Sequence, residues 1–177
     1  MEEALQLCGQ ILGIVAVVLG FASYQMKTPR GIISFQMATA LVFSVHYLLI
    51  GALTAAVLNF LGSVKCLFYY FRDKRGGRGI WEPAVFCVVV IVSTILTWEG
   101  WYSALIMVGL VADTVGLALN DPQKTRGMTF IKSPLCLVYN AIVRSLGGVV
   151  YECAVLVSAA VALLRNRKKR AGEPERR

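Results

Sequence analysis

The sequence FSVHYLLIGALTAAVLNF, residues 43–60, aligns with CLVYNAIVRSLGGVVYEC, residues 136–153, and this repetition decides the fold. The segments that precede each stretch repeat as well. Their small residues recur at a constant spacing of 96, so that Gly13, Ala16 and Gly20 correspond to Gly109, Ala112 and Gly116. The chain is therefore interpreted as two copies of one hydrophobic three-helix unit.

The composition is that of a membrane protein. Hydrophobic residues make up 57% of the 177-residue chain, and the mean hydropathy is +0.66, far above the soluble norm. A spanning helix needs about 20 largely apolar residues, and sometimes only about 17. Seven stretches qualify: residues 5–26, 32–51, 53–71, 81–97, 101–119, 128–145 and 148–164. Because these runs are continuous rather than alternating, barrel strands are disfavoured. The sequence predicts an all-α polytopic membrane protein with seven transmembrane helices.

Basic residues are concentrated after every second apolar stretch. They follow the first, third, fifth and seventh stretches: Lys27, Arg30, Arg72, Lys74, Arg75, Arg78, Lys124, Arg126 and residues 165–170. The opposite ends carry Glu2, Glu3 and Glu99, with Arg144 as the only basic residue. The positive-inside rule then predicts an outside N-terminus and a cytoplasmic C-terminus. The net charge of +8 is thus a topology signal, and its scatter over four loops disfavours nucleic-acid binding.

The number of helices determines how the two copies face. Three helices in each copy and a fourth between them make the second copy begin on the same side as the first. We expect two parallel repeats, residues 1–75 and 100–170, joined by a linker helix within residues 76–99 and followed by a cytoplasmic tail, residues 171–177. Parallel repeats about an axis along the membrane normal occur in SWEET transporters, which favours a site between the copies.

Three short motifs resemble the YgjV family of bacterial inner-membrane proteins: HYLLIG at residues 46–51, Asn59 in the next helix, and SLGGVVYE at residues 145–152. The helix plan is similar to that of the SWEET, PQ-loop and PnuC-like transporters. The resemblance implies two three-helix bundles with a solute path between them. It also implies a multi-pass protein of the bacterial plasma (inner) membrane.

Polar side chains inside the predicted spans mark a candidate substrate-binding layer, because a charge at the bilayer centre costs at least about 2.5 to 3.5 kcal/mol. The repeat places six of them at one height in the outer half of the membrane: His46, Tyr47, Asn59, Tyr139, Asn140 and Glu152. Such groups could replace the hydration shell of a small polar solute. The alternative is a hydrogen-bond network that only holds the helices together.

Three charged residues lie near this layer within the predicted spans. Asp113 lies near mid-membrane where the first copy has Val17, so it is a candidate for ion coupling or a partner for Lys65. Lys65 and Lys132 are expected to snorkel toward the cytoplasm.

A structural salt bridge could join Arg144 to Glu152 across the Gly147-Gly148 turn. His46, the only histidine, could titrate near neutral pH or simply pack between helices.

Enzymatic and cofactor functions find no support in the sequence. The five cysteines lie singly within predicted spans without metal-ligand spacing, and no P-loop or nucleophile elbow occurs. We expect no enzyme, metal or cofactor. The small-residue face of the first helix predicts packing within the bundle, with a homodimer through Gly9 and Gly13 as the alternative. Two functions stay open: a transporter that works by alternating access, and a non-transporting membrane receptor or scaffold.

Overall fold

The protein is described by a computed structural model that covers residues 2–26, 28–72, 81–118 and 122–172. Four of the basic residues on which the predicted orientation depends lie outside this part of the chain, namely Lys27, Lys74, Arg75 and Arg78. Most of the predicted cytoplasmic tail, from residue 173 onward, lies outside it as well.

All regular structure in the described residues is helical, as predicted. The seven helices are α1 (Glu2–Gln25), α2 (Pro29–Leu49), α3 (Leu53–Arg72), α4 (Trp81–Leu96), α5 (Ser103–Ala118), α6 (Pro122–Ile142) and α7 (Leu146–Gly172). Helix α2 starts where the Thr28 side chain accepts a hydrogen bond from the Gly31 amide, with Pro29 in the first turn. Helix α7 extends past the predicted apolar stretch because its Arg- and Lys-rich continuation has high helix propensity.

The α2–α3 and α6–α7 turns have the same backbone hydrogen bonds, displaced by 93 residues. The amide of Ala52 donates to the carbonyl of Tyr47, and the amide of Ser145 donates to the carbonyl of Asn140. Each turn also contains one residue with positive φ, Gly51 at 79° and Arg144 at 56°. The two tight turns therefore share one conformation, although only the first uses the residue type best suited to it.

The helices pack in two groups of three. In the first group α2 lies between α1 and α3, and in the second α6 lies between α5 and α7. Contacts between the groups join α1 to α7 and α3 to α5, while α4 packs against α5 and α3. We call the end of the bundle that holds the α2–α3 and α6–α7 turns the turn end.

The interior is rich in polar residues and the exterior is apolar. Buried polar side chains include Ser23, His46, Thr54, Asn140 and Glu152, whereas many leucines, valines, isoleucines and phenylalanines are exposed on every helix. So many exposed large apolar side chains are unusual on a soluble protein. Within the described residues, one helix is long and apolar enough to cross a membrane, over Glu3–Ser23, with a mean hydropathy of 2.1 in its most apolar window; the apolar parts of five others are shorter.

Candidate site between the two helix groups

His46 connects three helices at the turn end. Its side chain is fully buried, with Nδ1 2.7 Å from the Gly9 carbonyl oxygen of α1 and Nε2 2.7 Å from Ser145 Oγ at the start of α7. A carbonyl can only accept, so Nδ1 carries a proton; in the neutral ring Nε2 then accepts from the Ser145 hydroxyl. Ser145 Oγ accepts in turn from the Gly148 amide at 3.1 Å. Each ring nitrogen thus has a hydrogen-bond partner, one from each of the two helix groups.

Tyr47 and Asn140 form the next contact across the interface. The Tyr47 hydroxyl donates to Asn140 Oδ1 at 2.7 Å, and both side chains are buried. Gly148 provides the space for this pair, since a Cβ atom there would lie 2.5 Å from the Asn140 side chain. The contact therefore joins α2 to α6 and requires a glycine on α7.

The backbones of α1 and α7 also approach each other closely. A Cβ atom at Gly147 would lie 2.6 Å from the backbone of Gly13. Beside it, Gln10 Nε2 donates to the Arg144 carbonyl at 2.7 Å, and the Leu146 amide donates to Gln10 Oε1 at 3.2 Å. A side chain from α1 thereby caps the first turn of α7.

Glu99 caps α3 from the connection between α4 and α5. Its two carboxylate oxygens accept from the amides of Leu53 and Thr54, at 2.8 and 3.1 Å. A carboxylate is favourable here because the helix N-terminus carries a partial positive charge. The Thr54 hydroxyl completes the connection by donating to the Thr97 carbonyl.

Glu152 lies deeper between α6, α7 and α2. Its side chain is 6% exposed, and among the described residues no group forms a hydrogen bond with its Oε2. Lys132 and Cys136 of α6 and Tyr47 of α2 are close enough to interact with it electrostatically. A buried carboxylate oxygen without a hydrogen-bond partner lowers the stability of the folded protein.

Asp113 lies between two lysines from different helices. Its Oδ2 is 3.4 Å from Lys65 Nζ of α3, and its Oδ1 is 3.4 Å from Lys132 Nζ of α6. Each ammonium group therefore has a carboxylate partner, and the expectation that both lysines snorkel toward the cytoplasm stays a prediction. Of the two interpretations of Asp113, the structure contains the pairing with Lys65.

The predicted layer is brought together only in part. His46, Tyr47, Asn140 and Glu152 face the interface. Tyr139 is fully buried with its ring 5.9 Å from that of Tyr102.

Among the described residues, Asn59 forms its side-chain hydrogen bond within its own helix, and the salt bridge predicted between Arg144 and Glu152 is absent. Asn59 donates to the Ala55 carbonyl of its own helix at 2.9 Å. Arg144 is exposed and Glu152 is buried, and the described residues contain no ion pair between them.

Sequence reasoning missed Ser145, Gln10 and Glu99. Ser145 opens the SLGGVVYE motif but has no polar counterpart in the first copy, where Ala52 stands. The two caps are long-range contacts, and neither has a signal in sequence spacing.

The apolar exterior and the buried polar interface are typical of an α-helical membrane protein. Residues 7–170 match the family model Imp-YgjV, described as a bacterial inner membrane protein, and the chain belongs to this family. No curated protein and no solved structure matches the chain at a significant level. The family assignment made from the three short motifs is confirmed.

Proposed function

We propose that this inner-membrane protein transports a small polar solute along the interface between helices α1–α3 and α5–α7. The observation that supports the proposal is Glu152, a buried carboxylate with an unsatisfied oxygen inside a membrane protein. Intramembrane ionisable groups of this kind mark solute or ion pathways. The protein acts without catalysis, cofactor or metal in this proposal.

The polar residues follow one line through the bundle. From the turn end, the contact His46–Ser145 is followed by Tyr47–Asn140, then by Glu152, and then by the cluster of Lys65, Asp113 and Lys132. Asn140 and Lys132 are separated by eight residues of α6, or about 12 Å at 1.5 Å per residue. This distance is a large part of the hydrocarbon thickness of about 30 Å.

The proposal includes seven membrane-spanning helices in two parallel repeats with the turn end outside. The matching hydrogen bonds of the α2–α3 and α6–α7 turns support the duplication. The contact pattern supports a two-fold relation, because exchanging the repeats converts the α1–α7 contact into the α5–α3 contact. Helices with short apolar parts fit a bilayer that thins locally around them.

The described conformation is closed at the turn end. The His46–Ser145 and Tyr47–Asn140 hydrogen bonds and the backbone contact of Gly13 with Gly147 all cross the interface there. In alternating access the two repeats rock against each other. Outward opening then requires these three contacts to separate, while the lysine cluster stays near the cytoplasmic side.

A scaffold or receptor on the same fold is the second candidate. The observation that favours it is the complete burial of His46 and Tyr139 in helix contacts, which a packing network also requires. The two functions differ in what Glu152 does. A scaffold gains nothing from an unsatisfied carboxylate, whereas a transporter needs a group that is free to meet its cargo.

Uptake of a metabolite panel into proteoliposomes tests the proposal. We expect saturable, protein-dependent uptake of at least one small polar solute, and a decrease of at least tenfold in Glu152→Gln. Glu3→Gln is the matched control, because Glu3 is an exposed carboxylate near the start of α1. Absence of uptake across the panel, or equal uptake by the wild type and Glu152→Gln, would favour the scaffold.

A further inference from the structure

We infer that Glu152 binds a protonated amino group, so that the cargo is a small organic cation. The inference rests on the proposed function and concerns the same interface. It starts from the 6% exposure of Glu152 and the unsatisfied Oε2 among the described residues. Such a carboxylate offers a negative charge and acceptor lone pairs, and it has no proton of its own to donate when ionised.

Lys132, a cation that interacts electrostatically with Glu152, is paired with another carboxylate. Lys132 is within electrostatic range of Glu152, but its Nζ lies 3.4 Å from Asp113 Oδ1. Asp113 also holds Lys65, so this cluster carries two ammonium groups against one carboxylate. Among the described residues, this cluster supplies no hydrogen bond to Glu152 Oε2.

The hydroxyl donors near Glu152 form hydrogen bonds with other residues. The Tyr47 hydroxyl donates to Asn140 Oδ1 at 2.7 Å, and the Ser145 hydroxyl is engaged with His46. A ligand that satisfies Glu152 must therefore bring its own N–H donors. An ammonium group brings three donors and a compensating charge, and both requirements are met by one small group.

Other classes of solute fit this position less well. An anionic solute would meet the Glu152 carboxylate in a medium of low dielectric constant, where repulsion is strong. A neutral polyol would supply only neutral donors, and hydrogen bonds from a charged donor to a carboxylate are stronger. A short alkyl chain on the ammonium group suits the neighbouring Cys136.

Equilibrium binding of n-butylammonium to the full-length protein in nanodiscs tests the inference. We expect saturable binding, read by a rise in melting temperature and by titration calorimetry, with no comparable effect from butyrate or 1-butanol. Glu152→Gln should weaken the binding at least tenfold, and Glu3→Gln should leave it unchanged. Equal binding of butylammonium by the wild type and Glu152→Gln, or preferential binding of butyrate or butanol, would overturn the inference.

A chemical readout keeps the test decisive if Glu152→Gln does not fold. The tertiary analogue N,N-dimethylbutylammonium, which cannot form an amide with a carbodiimide-activated carboxyl group, should protect Glu152 of the wild-type protein from carbodiimide labelling, as followed by mass spectrometry; lack of protection would contradict the assignment. The two proposals fail separately. Binding of butylammonium without any uptake contradicts transport alone, whereas uptake of an anionic or neutral solute without ammonium binding contradicts the cargo class alone.

Discussion

At the residue scale, the His46 imidazole is one of the groups that join the two halves of the molecule at the turn end. His46 takes one partner from α1 and one from α7, and both contacts are buried at 2.7 Å. Side-chain hydrogen bonds between membrane helices average about 0.6 kcal/mol, with a maximum near 1.7. Ser145 adds to this by accepting from Gly148, so its hydroxyl serves two contacts at once.

We expect Ser145→Ala to lower the free energy of unfolding by about 1 to 2 kcal/mol, because it leaves the His46 ring and the Gly148 amide without their partner. A double-mutant cycle with His46→Ala should give a coupling of about 0.6 to 1.7 kcal/mol. The measurement is reversible unfolding in mixed micelles.

Ser63→Ala is the control for this cycle, since Ser63 is a buried serine whose hydroxyl bonds only the Phe60 carbonyl of its own helix. A coupling near zero between His46 and Ser145 would show that their contact contributes nothing.

At the element scale, the interface depends on how closely α1 and α7 approach. Gly13 and Gly147 meet backbone to backbone, and Gln10 caps the start of α7 beside them. The glycine face of α1 is therefore used inside the chain, as the packing interpretation predicts. Gly9 also faces α2, where a Cβ atom would lie 2.9 Å from Ile50. Formation of a homodimer through this face stays an untested prediction.

Gly147→Ala should separate α1 from α7, because the added methyl group would meet Gly13 backbone atoms, which cannot rotate away. We expect a loss of about 1 to 3 kcal/mol in the free energy of unfolding, together with weakened capping by Gln10.

Gly127→Ala is the matched control on α6, where nothing lies within 4 Å of the added atom. There the higher helix propensity of alanine should stabilise the protein by up to about 1 kcal/mol. Similar unfolding curves for the two variants would contradict the close contact.

At the scale of the whole molecule, the charged side chains of one cluster inside the bundle form ion pairs between different helices. Asp113 is shared by Lys65 of α3 and Lys132 of α6, with side-chain exposures of 29%, 14% and 19% for the three residues in that order. This cluster connects the two helix groups farther from the turn end than Glu152. Its partial exposure moderates the electrostatic free energy of the pairs.

Asp113→Asn should destabilise the protein by at least about 1 kcal/mol, because two ammonium groups would then share a site with no carboxylate partner. Lys65→Met is the comparison, since it leaves a one-to-one pair of Asp113 with Lys132 and should cost less. Thermal unfolding of both variants in the same detergent gives the order. A larger loss in Lys65→Met than in Asp113→Asn would contradict the shared arrangement.

Sequence patterns predicted the helices well and the site only in part, for a physical reason. Hydrophobic length located the helices, and in the structure the side chains of His46 and Tyr47 form hydrogen bonds with Ser145 and Asn140 at the turn end. Residues at one height can nevertheless have different hydrogen-bond partners. Asn59 aligns with Glu152 in the sequence, yet its side chain donates to its own helix, whereas Glu152 Oε2 has no hydrogen bond among the described residues. Capping by Gln10 and Glu99 depends on which helices become neighbours, and that is a property of the assembled bundle.

The contact between His46 and Ser145 also has a consequence for synthesis of the chain. When the ribosome has completed the first three helices, the Nε2 atom of His46 has no partner, because residue 145 does not yet exist. The Gln10 side chain likewise lacks its partners, the Arg144 carbonyl and the Leu146 amide. The first half therefore inserts with its polar interface unsatisfied, and only the last helical hairpin completes it. A chain that ends after α4 lacks this completion and is expected to be recognised by membrane proteases as unfinished.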